Sequence, residues 1–550
     1  MSLESPPVAR PSRKLRADQP GPSEGWRSAA VRPAVMALAA GFVLLGGAAL
    51  ELGPLEAKVG MAIGEPIGPF GRLFGYWEPS VWPGSVAVGQ AWAWFEEKGP
   101  THNSVRWPAA LAAMAIGLLL ARRARMTLGA RAGVLTALCW FGSIAAIDRS
   151  MGAGIDLIAG LCTVAALDRM LARGSGWTTG AWAAAAFLCG GWPPLAVLTL
   201  AMIVLGKAQM RWTWRMTIPV AAAVAGWSAW AIAAAWASSP AEAWASALFL
   251  PLTQPSAWGL SLTVLGLGMP WAPFAVLATS RSVREGWPAA GRDPVIGWAK
   301  VAGACLIAGT VIPGLSPAAL VPALAGLAVL AAAGWDSLWD NQGELPSSIR
   351  RRALAITWLI VGLWSIMALA GGGYLAFAVA YYRAVMIAVV VSAACAIAFA
   401  VLASSRGDGR WALGAVVAVA VGLKLAHWGY YAPETNYRFG QGPWGRAIGQ
   451  WVPPRFPIYV THGWPADLAF ATGRRVQRLE HPRLLNYQPG GQAKFVLLLA
   501  SEYEHWPEDC SKLIKVAEFH DEWDSIRVLA RTEGKNPYEM PIPRQVQRDE

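Results

Sequence analysis

Long apolar stretches recur along the first three quarters of the chain, separated by short polar or basic turns. Runs such as 34–50, 217–236, 317–333 and 385–403 reach or approach the roughly 20 apolar residues needed to cross a hydrocarbon core. The pattern predicts spans near 33–51, 107–121, 128–147, 151–172, 177–191, 192–206, 216–236, 258–279, 296–313, 316–335, 353–372, 383–403 and 411–428, about thirteen in all. The pair at 177–206 is divided by Gly190-Gly191-Trp192-Pro193-Pro194 and reads as two helices. A single kinked span there would invert everything that follows.

Assigning alternate loops to one side gathers Arg122, Arg123, Arg125, Arg169, Arg173, Lys207, Arg211, Arg215, Arg281, Arg284, Arg292, Arg350, Arg351, Arg352, Arg406 and Arg410 with the N-terminus. Basic loops stay cytoplasmic, so this side is predicted to be inside. An odd number of spans then puts the long first loop, 51–106, and everything after 428 outside.

Composition sharpens this picture. Of the residues, 55% are hydrophobic and 15% charged, against roughly 25% charged in soluble domains, which excludes a simple soluble enzyme. The net charge of +12 is carried mostly by those loop arginines, so it marks topology and not a nucleic-acid partner. Cys139, Cys162, Cys189, Cys305 and Cys395 are scattered through apolar segments and Cys510 stands alone, which offers neither a disulfide framework nor a zinc knuckle. Residues 1–32, rich in Pro, Ser and Arg, read as a disordered cytoplasmic tail. High Ala, Gly, Arg and Trp usage suggests a bacterium with a GC-rich genome.

Beyond 428 charges, histidines and turn residues appear, with short strand-like runs at 457–461, 468–471, 494–500 and 526–530. The expected fold is therefore an all-α polytopic membrane domain over 33–428, followed by a small extracytoplasmic α/β domain over 429–532 and a flexible tail over 533–550. No repeat of fixed period is visible, which argues against an inverted-repeat transporter, as do spans bare of mid-membrane charge.

Ionisable groups in or beside membrane spans are costly and so are candidates for function. Asp156 lies about one turn inside the expected fourth span, and Arg149, seven residues earlier, would share its helix face. The pair could hold a phosphate and a metal or acceptor, or could simply close the helix end. In the first outer loop Glu56, beside Lys58, is placed to act as a general base on an acceptor delivered from the bilayer, or is a solvated loop acid. The following stretch 86–95 carries Trp and reads as a helix lying in the interface. His462, His481, His505 and His520 lack metal-ligand spacing and read as surface or turn residues.

Several segments, in order, resemble the polytopic GT-C glycosyltransferases of the protein O-mannosyltransferase and lipid A aminoarabinose transferase group. Val105-Arg106-Trp107-Pro108-Ala109-Ala110-Leu111 is similar to the stretch opening the family's second helix, and Arg149 with Asp156 to an Arg followed by an Asp at the start of the fourth. Gly268-Met269-Pro270-Trp271 resembles the Pro-Trp element of the eighth span, and 315–324 the proline-bearing tenth span. The resemblance implies transfer of a sugar from a polyprenyl-phosphate donor to an acceptor (lipid, glycan or protein) on the outer face of the bacterial inner membrane. It also implies first-loop acids and often a divalent metal, with no other cofactor. In this chain the family's Asp-Glu pair reads Leu55-Glu56, no Lys precedes Trp82-Pro83, and the Lys-Gly between the fifth and sixth spans reads Gly190-Gly191. The residues then assigned are Glu56 and Asp156 as catalytic acids, with Arg149, Arg106 and Lys58 on the substrate phosphate. The alternative is a catalytically degenerate relative that binds lipid-linked sugar or scaffolds an envelope complex.

Overall fold

The computed structural model describes residues 83–96, 102–146, 155–209, 214–238, 259–312, 314–340, 346–439, 442–453, 456–461, 466–474, 476–479, 481–487, 493–520 and 526–533. The expected span at 33–51 and the candidates Glu56, Lys58 and Arg149 lie outside them. Each later expected span overlaps a described helix. The interfacial stretch forms α1 (Pro83–Glu96), followed by α2 (His102–Leu128), α3 (Ala130–Phe141), α4 (Ile155–Leu171), α5 (Gly176–Gly190), α6 (Trp192–Gln209) and α7 (Trp214–Ser238). The bundle is completed by α8 (Leu260–Leu267), α9 (Ala289–Val311), α10 (Ser316–Asp340), α11 (Ser347–Met367), α12 (Gly373–Ala378), α13 (Arg383–Arg406) and α14 (Gly409–Ala426). Among the described residues, six helices are long and apolar enough to cross a membrane, or seven if one bent pair counts as a single span. This is a multi-pass membrane protein.

Three expected spans differ in form. The one at 258–279 is broken: α8 ends at Leu267, and a 3-10 segment, Ala272–Thr279, leaves at 101°. Pro270 cannot donate to a continuing helix, so the break falls where the sequence removes a hydrogen bond. The span beginning near 353 runs past 372 through a π-turn, Ala368–Gly372, into α12, and α14 continues through a second π-turn, His427–Tyr431. The split at Gly191 is real: this residue takes φ 75°, and α5 and α6 are separate helices packed on one another.

In lipid the helices gain no hydrophobic drive to associate, so close packing of small residues carries the contact. Helix α10 is the hub. It touches α2, α3, α4, α6, α9 and α14, and 89% of its apolar stretch is buried. Large side chains such as Ile203, Leu262, Ile307 and Phe377 are exposed instead, a belt suited to hydrocarbon.

The basic loop ends meet at one end of this bundle. Gly291 abuts the Thr127 carbonyl, Arg131 pairs with Asp336 at 3.7 Å, and Arg131 and Arg410 both lie over the Trp339 ring. At the other end Tyr382 donates to Glu434 at 2.9 Å. The chain therefore leaves α14 at the end opposite Arg410.

There it forms α15 (Ala432–Phe439) and α16 (Gly442–Trp451) and then a five-stranded sheet. The strands are β1 (Ile458–Val460), β2 (Val476–Arg478), β3 (Phe495–Leu499), β4 (Leu513–His520) and β5 (Ile526–Thr532), in the order β2-β1-β3-β5-β4. Three of the expected strands are present. The fourth, 468–471, is instead helix α17 (Ala466–Ala471), whose Leu468 is buried against Ile448 of α16. β2 is too short and polar, and β4 too exposed, for alternation to reveal them.

Gly445 and Gly449, one turn apart on α16, let that helix lie on the backbone of α17. A Cβ at Gly449 would stand 2.4 Å from the Thr472 carbonyl oxygen, and one at Gly445 2.7 Å from that of Leu468. Gly449→Ala is expected to cost about 1–3 kcal/mol by overpacking. Earlier proteolysis of the region after 439, with unchanged protection of the bundle, is the readout.

Candidate functional site

The four segments that carry the sequence motifs come together. Arg106 sits in the first turns of α2, where Trp107 stacks on Trp92 of α1 with ring centroids 6.1 Å apart. Arg106 itself is buried, 5% exposed. Asp156 is the second residue of α4.

The orientation of α2 and α4 follows from contacts at both ends. Near their C-termini Arg123 donates from Nε to Asp168 Oδ1 at 2.5 Å and from a terminal nitrogen to Oδ2 at 2.8 Å. At their N-termini α1 contacts both helices. Gly84 of α1 also lies against Cys189 at the end of α5, and the adjacent Gly190 lies against Ala159 of α4. The two helices thus run side by side in the same direction. At 1.5 Å rise per residue, Arg106 is about 25 Å from the ion pair along α2, and Asp156 about 18 Å along α4. Both sit at the bundle end away from the basic cluster, the end from which the chain passes to the sheet.

The other motifs close the same region. Gly160, one turn below Asp156, is pressed on Val321 of α10: a Cβ there would be 2.7 Å from a Val321 methyl. Gly268 at the helix break approaches Leu324 of α10, and Trp271 packs on Gly142 at the end of α3. The Ile144 amide donates to the Met269 carbonyl at 3.1 Å. Pro317 occupies the first turn of α10, where its missing amide costs nothing.

Among the described residues no three of His, Cys, Asp and Glu converge to hold a metal ion. Sequence reasoning did not anticipate the stacking of Trp92 on Trp107, for which a Trp-rich interface gives no specific signal. His481 and His505 are exposed, as expected for surface residues.

The assembled architecture has the GT-C fold expected from the sequence. The crystal structure of ArnT from Cupriavidus metallidurans bound to undecaprenyl phosphate superposes with a TM-score of 0.68 at 16% identity, covering 92% of this chain and 98% of that one. The apo state of the same protein gives 0.67, also at 16% identity and with the same coverage. No protein-family model and no curated protein sequence matches the chain.

Proposed function

We propose that this chain transfers a sugar from a polyprenyl-phosphate donor to an acceptor at the extracytoplasmic face of a bacterial inner membrane, with its N-terminus in the cytoplasm. The observation that carries this reading is the meeting of the helix starts bearing Arg106 and Asp156 at the bundle end where the sheet emerges. Support comes from the near-complete overlap in fold with a protein crystallised with undecaprenyl phosphate.

In this mechanism an acceptor oxygen attacks the anomeric carbon of the donor sugar. The bond from that carbon to the lipid-phosphate oxygen breaks, and the acceptor proton passes to a carboxylate. Glu56 serves as the base and Asp156 orients the acceptor. The departing phosphate gains negative charge, which Arg106, Arg149 and Lys58 offset; a guanidinium does so with forked hydrogen bonds that an ammonium cannot copy. Membrane lipid forms the surroundings of the donor's prenyl chain. The acceptor is a lipid, a glycan or a protein segment.

The test is transfer of radiolabelled sugar from synthetic polyprenyl-phosphate donors to membrane extracts by the purified chain. Labelled product is expected. No transfer with any donor, from folded protein that still binds the lipid, would overturn the reading in favour of a degenerate relative. Adding EDTA to the same assay reports whether a divalent ion takes part.

Arg106→Ala is expected to raise the KM for donor at least tenfold, with Arg106→Lys recovering only part of it. Donor titration at saturating acceptor separates this from a change in kcat.

A further inference from the structure

The sheet holds a second site. Strand β1 is parallel to both of its neighbours, β2 and β3, while β5 is antiparallel to β3 and β4. The chain leaves β1 toward β2 on one side and leaves β3 toward β4 on the other. Connections that diverge from the carboxyl ends of two adjacent strands open a crevice, the place where open α/β sheets take their ligands. At that place lies a cavity of about 330 Å³ lined by Thr461, Pro482, Ser501, Glu502, His505 and Trp506.

Thr461 directly follows β1, and Ser501 and Glu502 belong to the short helix Ala500–Glu504 directly after β3. The Glu502 carboxylate is fixed: one oxygen accepts the Leu499 amide at 2.9 Å and the other the Thr461 hydroxyl at 3.1 Å. A carboxylate offers about four acceptor positions, more than these two bonds take up. His505 Nδ1 lies 2.8 Å from the Ser501 carbonyl, which can only accept, so Nδ1 donates there and Nε2 is the ring's remaining polar atom. Trp506 donates from Nε1 to the Ser511 carbonyl at 3.1 Å, which holds the indole in place. The lining is therefore rich in acceptors and walled by an indole and a proline ring. A phosphate or uronate would meet the Glu502 charge. A molecule with several hydroxyl donors and a flat C–H face fits, at a volume near the small end of ligand pockets.

We infer that this crevice is a saccharide-binding subsite, in which Glu502 and Ser501 accept hydrogen bonds from sugar hydroxyls, His505 Nε2 bonds a further hydroxyl and Trp506 covers a ring face. It stands independently of the transfer reaction, because binding needs no lipid donor.

The experiment titrates the full-length chain in nanodiscs with glucose, mannose, galactose, arabinose, N-acetylglucosamine and their disaccharides, without donor lipid, by saturation-transfer NMR and calorimetry. At least one saccharide is expected to bind. Ser501→Trp, which fills the crevice from an exposed position, is expected to weaken it at least tenfold with an unchanged melting curve. His505→Ala, also at an exposed position, should weaken it at least fivefold. Absence of binding by any of these sugars to the wild-type chain overturns the inference, and so does equal binding by both variants. So does Zn²⁺ binding that His505→Ala removes when no sugar binds, which would assign the crevice to a metal. Loss of transfer in the donor assay leaves this result untouched.

Discussion

Asp156→Asn and Glu56→Gln should each lower sugar transfer by about 10²- to 10⁴-fold, the range that one positioned acid or base contributes. Asparagine and glutamine keep the size of the side chain and remove only its charge and basicity. Donor binding and melting should therefore hold while turnover falls. The double variant should be little worse than either single one, because groups that act as a unit do not add. Undiminished transfer by Asp156→Asn would show that the acid at the start of α4 serves the helix end and not the reaction. The same result for Glu56→Gln would return that residue to the solvated loop.

The second large effect is structural. The side chains of Arg123 and Asp168 are only 15% and 10% exposed, and they pin α2 to α4 at the end far from the site. Removing one member strands a poorly solvated charge, which costs about 3–5 kcal/mol for a buried pair. Asp168→Ala should therefore lower the melting temperature in detergent by several degrees and reduce transfer, since α2 and α4 carry Arg106 and Asp156 in register. Replacing both partners by apolar residues, Arg123→Met with Asp168→Leu, should restore most of the stability. If Asp168→Ala melts like the wild-type chain, the pair does not hold the register.

Much of the bundle was legible because membrane spans announce themselves by length and apolarity, and because loop arginines record which ends share a side. Arg131 at the start of α3 and Arg410 at the start of α14 both lie over Trp339 near the end of α10, so these three helix ends share one end of the bundle. The break at Gly268–Trp271 was visible only as a motif, since an apolar count does not distinguish a straight span from a bent pair. The sheet was harder. Leu468–Ala471 is apolar enough for a strand, but its burial against Ile448 comes from packing on α16, a tertiary fact that four residues cannot announce. Of the site, the segments and their order could be read, but their convergence on α10 could not. The crevice at the carboxyl ends of β1 and β3 was not legible, because Glu502 and His505 become neighbours of Thr461 only through strand order.

The burial of α10 on nearly every side bears on how the chain is made. Its partners α2, α3, α4, α6 and α9 precede it in the chain, whereas α14 follows it. During synthesis the helix therefore enters the bilayer with part of its enclosure still missing. Its surface is dominated by Ala, Leu and Val, which lipid tails tolerate as well as neighbouring helices do. It can wait in the membrane at little cost, and the arrival of α14 exchanges lipid for protein around a segment already in place.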